Sequence, residues 1–264
     1  MDAAATGGMS EARPGPDNPD FPAHQAARCA SLRVLDQQVA QCRACARLVA
    51  WREHVATTRR AAFQDWEYWG RPVPGFGPDD AALALIGLAP SAHGGNRTGR
   101  MFTGDPSGGI LMAALHEIGL ASQPTSSDVN DGLALRGVRL TAPVHCAPPA
   151  NKPTTTEERD TCRSWLRAEL ELLRPTLRTV VVLGGFGWQA VLPVLATAGW
   201  QLPRPRPSLG HAVHLALPAT ADRRGLDVLG CHHPSRRNTS TGRLTSQMLV
   251  DVLARAAELA GLQD

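Results

Sequence analysis

The chain has 264 residues, 43% of them hydrophobic and 19% charged, enough apolar content to bury one full domain core without requiring a second. Its net charge of +3 selects no class of partner. It lacks the basic start and apolar stretch of a secretory signal, and no segment is long and apolar enough to span a bilayer, so a cytoplasmic protein is expected.

Taken in chain order, residues 1–27 include Ala-Arg-Pro-Gly-Pro-Asp-Asn-Pro and carry too few large apolar groups to offset the entropy of ordering. They are predicted to be a disordered tail, with residues 28–264 forming a single domain. Cys42-Arg-Ala-Cys45 follows on a predicted helix. Four apolar runs, Leu83 to Gly87, Val138 to Ala142, Thr179 to Leu183 and Val228 to Cys231, read as short buried strands, each leading into a glycine- or proline-rich loop. Helical spacing lies between and after them, at Ile110, Leu111, Ala114, Leu115 and Ile118, then Cys162, Trp165, Leu166, Leu170 and Leu173, then Met248 through Leu259. This alternation predicts an α/β fold with a parallel sheet covered on both faces.

Six cysteines in a reducing compartment argue for ligation or burial before disulfides. Cys42 and Cys45 form one close pair. Cys146 follows the second strand, and Cys162 lies in the first turns of a helix opened by one of Thr154 to Thr156, with Glu157 and Glu158 as capping partners. Four thiolates suit zinc or an iron-sulfur cluster. Zinc ribbons present two tight knuckles, so the fifteen residues between Cys146 and Cys162 favour the larger group. Cys231 reads as a buried small hydrophobe.

The loop from Gly87 to Gly109 is rich in glycine but matches neither a phosphate-binding Gly-Lys-Ser/Thr loop nor the dinucleotide fingerprint, which disfavours a nucleoside-triphosphate enzyme. The last predicted strand leads into His232-His233-Pro-Ser-Arg-Arg-Asn-Thr-Ser-Thr-Gly-Arg243. Taken alone, either histidine reads first as structural. The polar run after them has the hydroxyls and guanidiniums to reach phosphates. Arg223, Arg224, Arg236, Arg237 and Arg243 are expected near one terminal loop. With Arg97, Arg100 and Lys152 in two earlier loops, they predict a basic edge at the strand ends.

Four segments in this order resemble the type b, or family 5, uracil-DNA glycosylases. They are Tyr-Trp-Gly-Arg-Pro-Val-Pro-Gly-Phe-Gly (68–77), the Gly-Leu-Ala-Pro-Ser-Ala-His-Gly-Gly-Asn-Arg-Thr-Gly-Arg-Met-Phe-Thr-Gly-Asp stretch (87–105), Cys-Ala-Pro-Pro-Ala-Asn-Lys-Pro (146–153), and His-His-Pro-Ser with its Asn-Thr-x-Thr-Gly loop (232–242). The resemblance implies a three-layer α/β/α sandwich around a four-stranded parallel sheet. It further implies a 4Fe-4S cluster on Cys42, Cys45, Cys146 and Cys162, and hydrolysis of the N-glycosidic bond of deaminated bases in DNA. The type a enzymes share the cysteine pattern but usually carry an acidic residue near the first motif, where this chain has Leu88-Ala89-Pro90. A non-catalytic iron-sulfur DNA-binding protein is the alternative from another class.

On this resemblance Asp105 orients water or stabilises the sugar cation, with a helix N-cap as its simpler role. His233 donates to the base carbonyl as it becomes anionic. Gly87, Ala89, Phe102 and Asn151 are expected to bind the flipped nucleotide, with Phe102 stacking on it. The loop from Ser235 to Thr241 is expected to enter the minor groove, Arg236 or Arg237 touching phosphate or the vacated stack. The expected substrates are uracil, hypoxanthine, xanthine and ethenocytosine in DNA, and the enzyme is expected to be a nucleoid-associated monomer.

Overall fold

The computed structural model describes residues 14–152 and 154–263. In chain order the elements are α1 (Phe21–Ala26), α2 (Leu32–Gln41), α3 (Ala46–Thr58), β1 (Leu83–Ile86), α4 (Gly95–Thr98), α5 (Pro106–Glu117), β2 (Val138–Thr141), α6 (Thr156–Leu173), β3 (Thr179–Leu183), α7 (Gly185–Thr197), β4 (His214–Leu217), β5 (Leu226–Cys231), α8 (Arg236–Ser240) and α9 (Ser246–Ala260).

The sheet runs β2-β1-β3-β5-β4. Its first four strands are parallel, as predicted, and β4 adds an antiparallel fifth at the edge of β5. Only Leu217 of β4 is buried, and its short apolar stretch Leu215 to Leu217 is not read as a strand from the sequence.

Alternation along the parallel strands feeds two cores. Leu83, Leu85, Val181, Leu183, Leu229 and Cys231 pack with α5 and α9. Ala84, Ile86, Val180, Val182 and Val228 pack with α1, α2, α6 and α7 on the other face. This is the α/β/α sandwich. Cys231 is buried at the end of β5, as its position predicted.

The predicted tail changes character before it ends. Residues 1–13 lie outside the described residues, whereas Phe21–Ala26 form α1, with Phe21 buried edge-to-face on Trp165 of α6 at 6.1 Å. One aromatic ring and Ala26 anchor this turn, which bulk composition does not register.

Arg139, alternating with the apolar positions of β2, enters the α2/α6 side fully buried. Its Nε donates to Glu169 at 2.6 Å and its Nη2 to Asp36 at 2.7 Å, while Thr141 donates to the other Glu169 oxygen at 2.6 Å. A side chain at Gly75 would come within 2.1 Å of Glu169 Oε1. Part of the 68–77 motif is therefore packing around a buried ion pair.

Candidate active site

The four parallel strands end on one edge of the sheet, where sheets of this kind place their ligands. Gly87 leaves β1 beneath Phe102, whose ring would lie 2.6 Å from any Cβ at that position. Phe102 is half-buried with φ 51°, a conformation that turns the glycine loop back over the strand end. Its ring also packs against the α5/α9 core. Ala89 is half-buried against the opposite core.

Asp105 caps α5, its Oδ1 accepting from the Gly108 amide at 3.0 Å, while its Oδ2 accepts a short hydrogen bond from the Ser91 hydroxyl. The N-cap role thus holds, and each oxygen keeps a further lone pair. Ser91 lies in the same 87–105 segment, but the sequence alone assigns it no role. Its link to Asp105 spans fourteen residues and arises only when the loop folds back.

His233 follows β5. Burial lowers its pKa, and the negative charge of Asp105 acts in the opposite direction, which places the two side chains in one electrostatic neighbourhood. The imidazole makes no hydrogen bond among the described residues, and its carbonyl is held by Asn238 Nδ2 at 2.8 Å. His232 and His233 line a cleft with Leu88, Gly184, Phe186 and Arg243. Asn151 sits after β2 with φ 53°, its Oδ1 accepting from the Ala92 amide at 3.2 Å. Three strand ends thus contribute to one region.

The four cysteines converge elsewhere. Cys42 ends α2 and Cys45 precedes α3, so the pair occupies a gap between two helices, and the single helix predicted through it is incorrect. Cys162 lies in α6, whose N-terminus is closed by a capping box of Thr155 and Glu158, as expected. All four line one small cavity with Arg52, His145 and Trp165. Arg52 is buried and donates from Nη1 to Cys146 Sγ at 2.9 Å and from Nη2 to the Cys42 carbonyl at 3.2 Å. Trp165 is oriented toward the Cys42 thiol, and His145 Nε2 is buried without a hydrogen-bond partner among the described residues. Burial pushes the Cys146 thiol up to about 11 and Cys45 up to about 12. Among the described residues, no group of three or more His, Cys, Asp or Glu side chains is placed to hold a metal ion.

The family model of the uracil DNA glycosylase superfamily matches residues 74–257. A type-5 uracil-DNA glycosylase of Mycobacterium tuberculosis (strain CDC 1551 / Oshkosh) is 51% identical over 233 residues, covering 88% of this chain and 83% of that protein. One from Thermus thermophilus is 49% identical over 226 residues, covering 86% of this chain and 97% of its own length. The chain belongs to the type-5 uracil-DNA glycosylases.

A type-4 uracil-DNA glycosylase of Archaeoglobus fulgidus is 31% identical over only 45% of the chain. The parallel sheet brings the 87–105 and 232–242 segments to one edge, but with a smaller basic surface than the sequence predicted. Arg97 and Arg100 are buried, Arg100 paired with Asp131 at 2.7 Å. Arg223 and Arg224 precede β5 and so lie at the opposite end of the sheet, Arg223 paired with Glu171. Parallel order separates them from Arg236 and Arg237 although they are close in sequence. The latter two, with Lys152 and Arg243, are exposed. The expected loop at Ser235 to Thr241 contains the short helix α8. No helix among the described residues is long and apolar enough to cross a membrane.

Proposed function

We propose that this type-5 uracil-DNA glycosylase hydrolyses the N-glycosidic bond of uracil in DNA after swinging the nucleotide out of the helix. We extend its substrates to hypoxanthine, xanthine and ethenocytosine. The observation that carries the reading is that Asp105, in the loop after β1, and His233, directly after β5, stand at one sheet edge, in a chain about half identical to enzymes of that name.

A stacked base is out of reach of groups on a sheet edge, so the nucleotide must leave the duplex, at a cost of a few kcal/mol. As the C1′–N bond breaks, its electron pair goes to the base and positive charge develops on the sugar. His233, with both ring nitrogens free, meets the base carbonyl as a neutral imidazole and donates to the developing anion. Asp105 faces the opposite charge. With Ser91 and the Gly108 amide fixing its orientation, its remaining lone pairs accept from the water that adds at C1′. Phe102 forms the stacking wall over Gly87, and Asn151, tied to Ala92, closes the side of the pocket. The wall at Leu88, Ala89 and Pro90 carries no side-chain hydrogen-bonding group, which favours tolerance of several bases. Exposed Lys152, Arg236, Arg237 and Arg243 supply the phosphate contacts.

The cysteine cavity fits a 4Fe-4S cluster on Cys42, Cys45, Cys146 and Cys162. The fifteen residues between Cys146 and Cys162 are wider than the tight knuckles of a zinc ribbon, and all four cysteines line one cavity. The buried His145 Nε2, the Trp165 indole beside Cys42 and the Arg52 guanidinium on Cys146 are suited to the sulfurs of an anionic group. When bound, the cluster supplies a cross-link between α2, α3, the β2 loop and α6, and no step of the hydrolysis passes through it.

The test is base release from oligonucleotides carrying one uracil, hypoxanthine, xanthine or ethenocytosine, read by alkaline cleavage at the abasic site. Release of all four is expected. Release of uracil alone would remove the broad pocket, and binding without any release would leave a DNA-binding protein. Extrusion is read separately as a rise in 2-aminopurine fluorescence beside the lesion, and an unchanged signal on binding would remove it.

A further inference from the structure

We infer that Arg97 is a positioning residue for Asp105, holding the two ends of the glycine loop at a fixed separation. The inference rests on the reading of Asp105 as the catalytic carboxylate. Arg97 belongs to α4, midway through the 87–105 segment. From there its Nε donates to the His93 carbonyl at 2.8 Å and its Nη2 to the Gly104 carbonyl at 3.1 Å. One planar group thus ties His93, two residues after Ser91, to Gly104, immediately before Asp105, and the Ser91 hydroxyl in turn donates to Asp105. The fork geometry of a guanidinium is what spans both carbonyls at once.

The guanidinium is itself held. Its carbon lies 4.0 Å from the ring centres of both Phe63 and Trp66, which meet edge-to-face at 79°, so the cation sits in the angle between them. Gly104 is part of the same fit: with φ 75°, a side chain there would come within 2.4 Å of Arg97 Nη2. The His93 end is secured from the same flank, where the Tyr68 hydroxyl lies 3.1 Å from His93 Nδ1.

A purely structural arginine at 3% exposure would be expected to have a carboxylate partner, as Arg100 and Arg139 do. Among the described residues Arg97 has none, and its Nη1 is buried there without a hydrogen bond. Burial of the cation also lowers its pKa, while Asp105 is among the acidic groups acting the other way. A buried cation without a carboxylate partner is costly for folding, and the two carbonyls it bridges on either side of the loop account for its position.

The experiment is a double-mutant cycle on single-turnover uracil excision, with thermal unfolding and affinity for uracil-containing DNA measured on every variant. Arg97→Lys keeps the charge and loses the fork; Arg97→Met keeps the stem alone. Each is expected to lower the excision rate at least ~10-fold with DNA affinity within about two-fold, since small misplacement of reacting groups costs rate more than binding. In an Asp105→Asn background the same change is expected to cost less than about two-fold, because the group being positioned is gone. A wild-type rate for a folded Arg97 variant, or an equal loss in both backgrounds, would overturn the inference. Should Asp105→Asn itself excise at the wild-type rate, the reading of Asp105 fails, and the remaining Arg97 effect reports on the loop alone.

Discussion

At the scale of single residues, the site depends on two side chains whose environments differ. Asp105 is fixed by two donors, while His233 is desolvated and without a partner. Substituting either with Ala is expected to reduce single-turnover excision at least ~10²-fold with DNA binding retained, the usual range for such groups. Near-wild-type excision by Asp105→Ala or His233→Ala would take that residue out of the mechanism. The desolvation of His233 also has a thermodynamic sign. Its folded pKa lies below its unfolded value of about 6.5, so the unfolded chain binds the proton first. Stability linked to this group is full above that value and is lost as pH falls toward the folded pKa. Chemical denaturation from pH 8 to 5 should show a shallower acid loss in His233→Ala than in the parent, and parallel curves would contradict the assignment. These residues were legible because the family resemblance gives each of them a role. Ser91 was not, since its partner is created by the loop's return.

Among elements, β2 meets α2 and α6 through a buried ion-pair network. Arg139, Glu169 and Asp36 share hydrogen bonds at 2.6 to 2.9 Å in the core, and removing one partner strands the others. Glu169→Leu is expected to destabilise the fold by about 3–5 kcal/mol, measured by urea unfolding, whereas a combined Arg139→Met, Glu169→Leu variant should recover part of that loss. A double variant no more stable than the single would count against the ion-pair account. The parallel strands were legible as apolar runs buried on both faces. The edge strand β4 was not, because it buries one end of one face. The helix expected through Cys42 and Cys45 failed for a related reason: two thiols facing a common cavity are presented by a break between α2 and α3, and helical periodicity says nothing about where such a break falls.

For the molecule as a whole, the cysteine cavity joins segments more than one hundred residues apart, from Cys42 to Cys162. Cys146→Ser is expected to lower bound iron and sulfide and the unfolding temperature, while the folded fraction excises uracil at close to the parental rate. Protein purified anaerobically without iron or sulfide would remove the cluster; a folded Cys146→Ser protein with its rate collapsed would give the cluster a role in the reaction. The α/β class, the parallel strands, the family and the residues at the strand ends were determined by the sequence alone, because periodicity and motif are local properties of a chain. Which arginines face DNA was decided only by tertiary structure. Arg97 and Arg100 turn inward to hold loops, and Arg223 and Arg236 are thirteen residues apart yet at opposite ends of a strand, since a charge's partner is set by the space around it and not by its place in the chain.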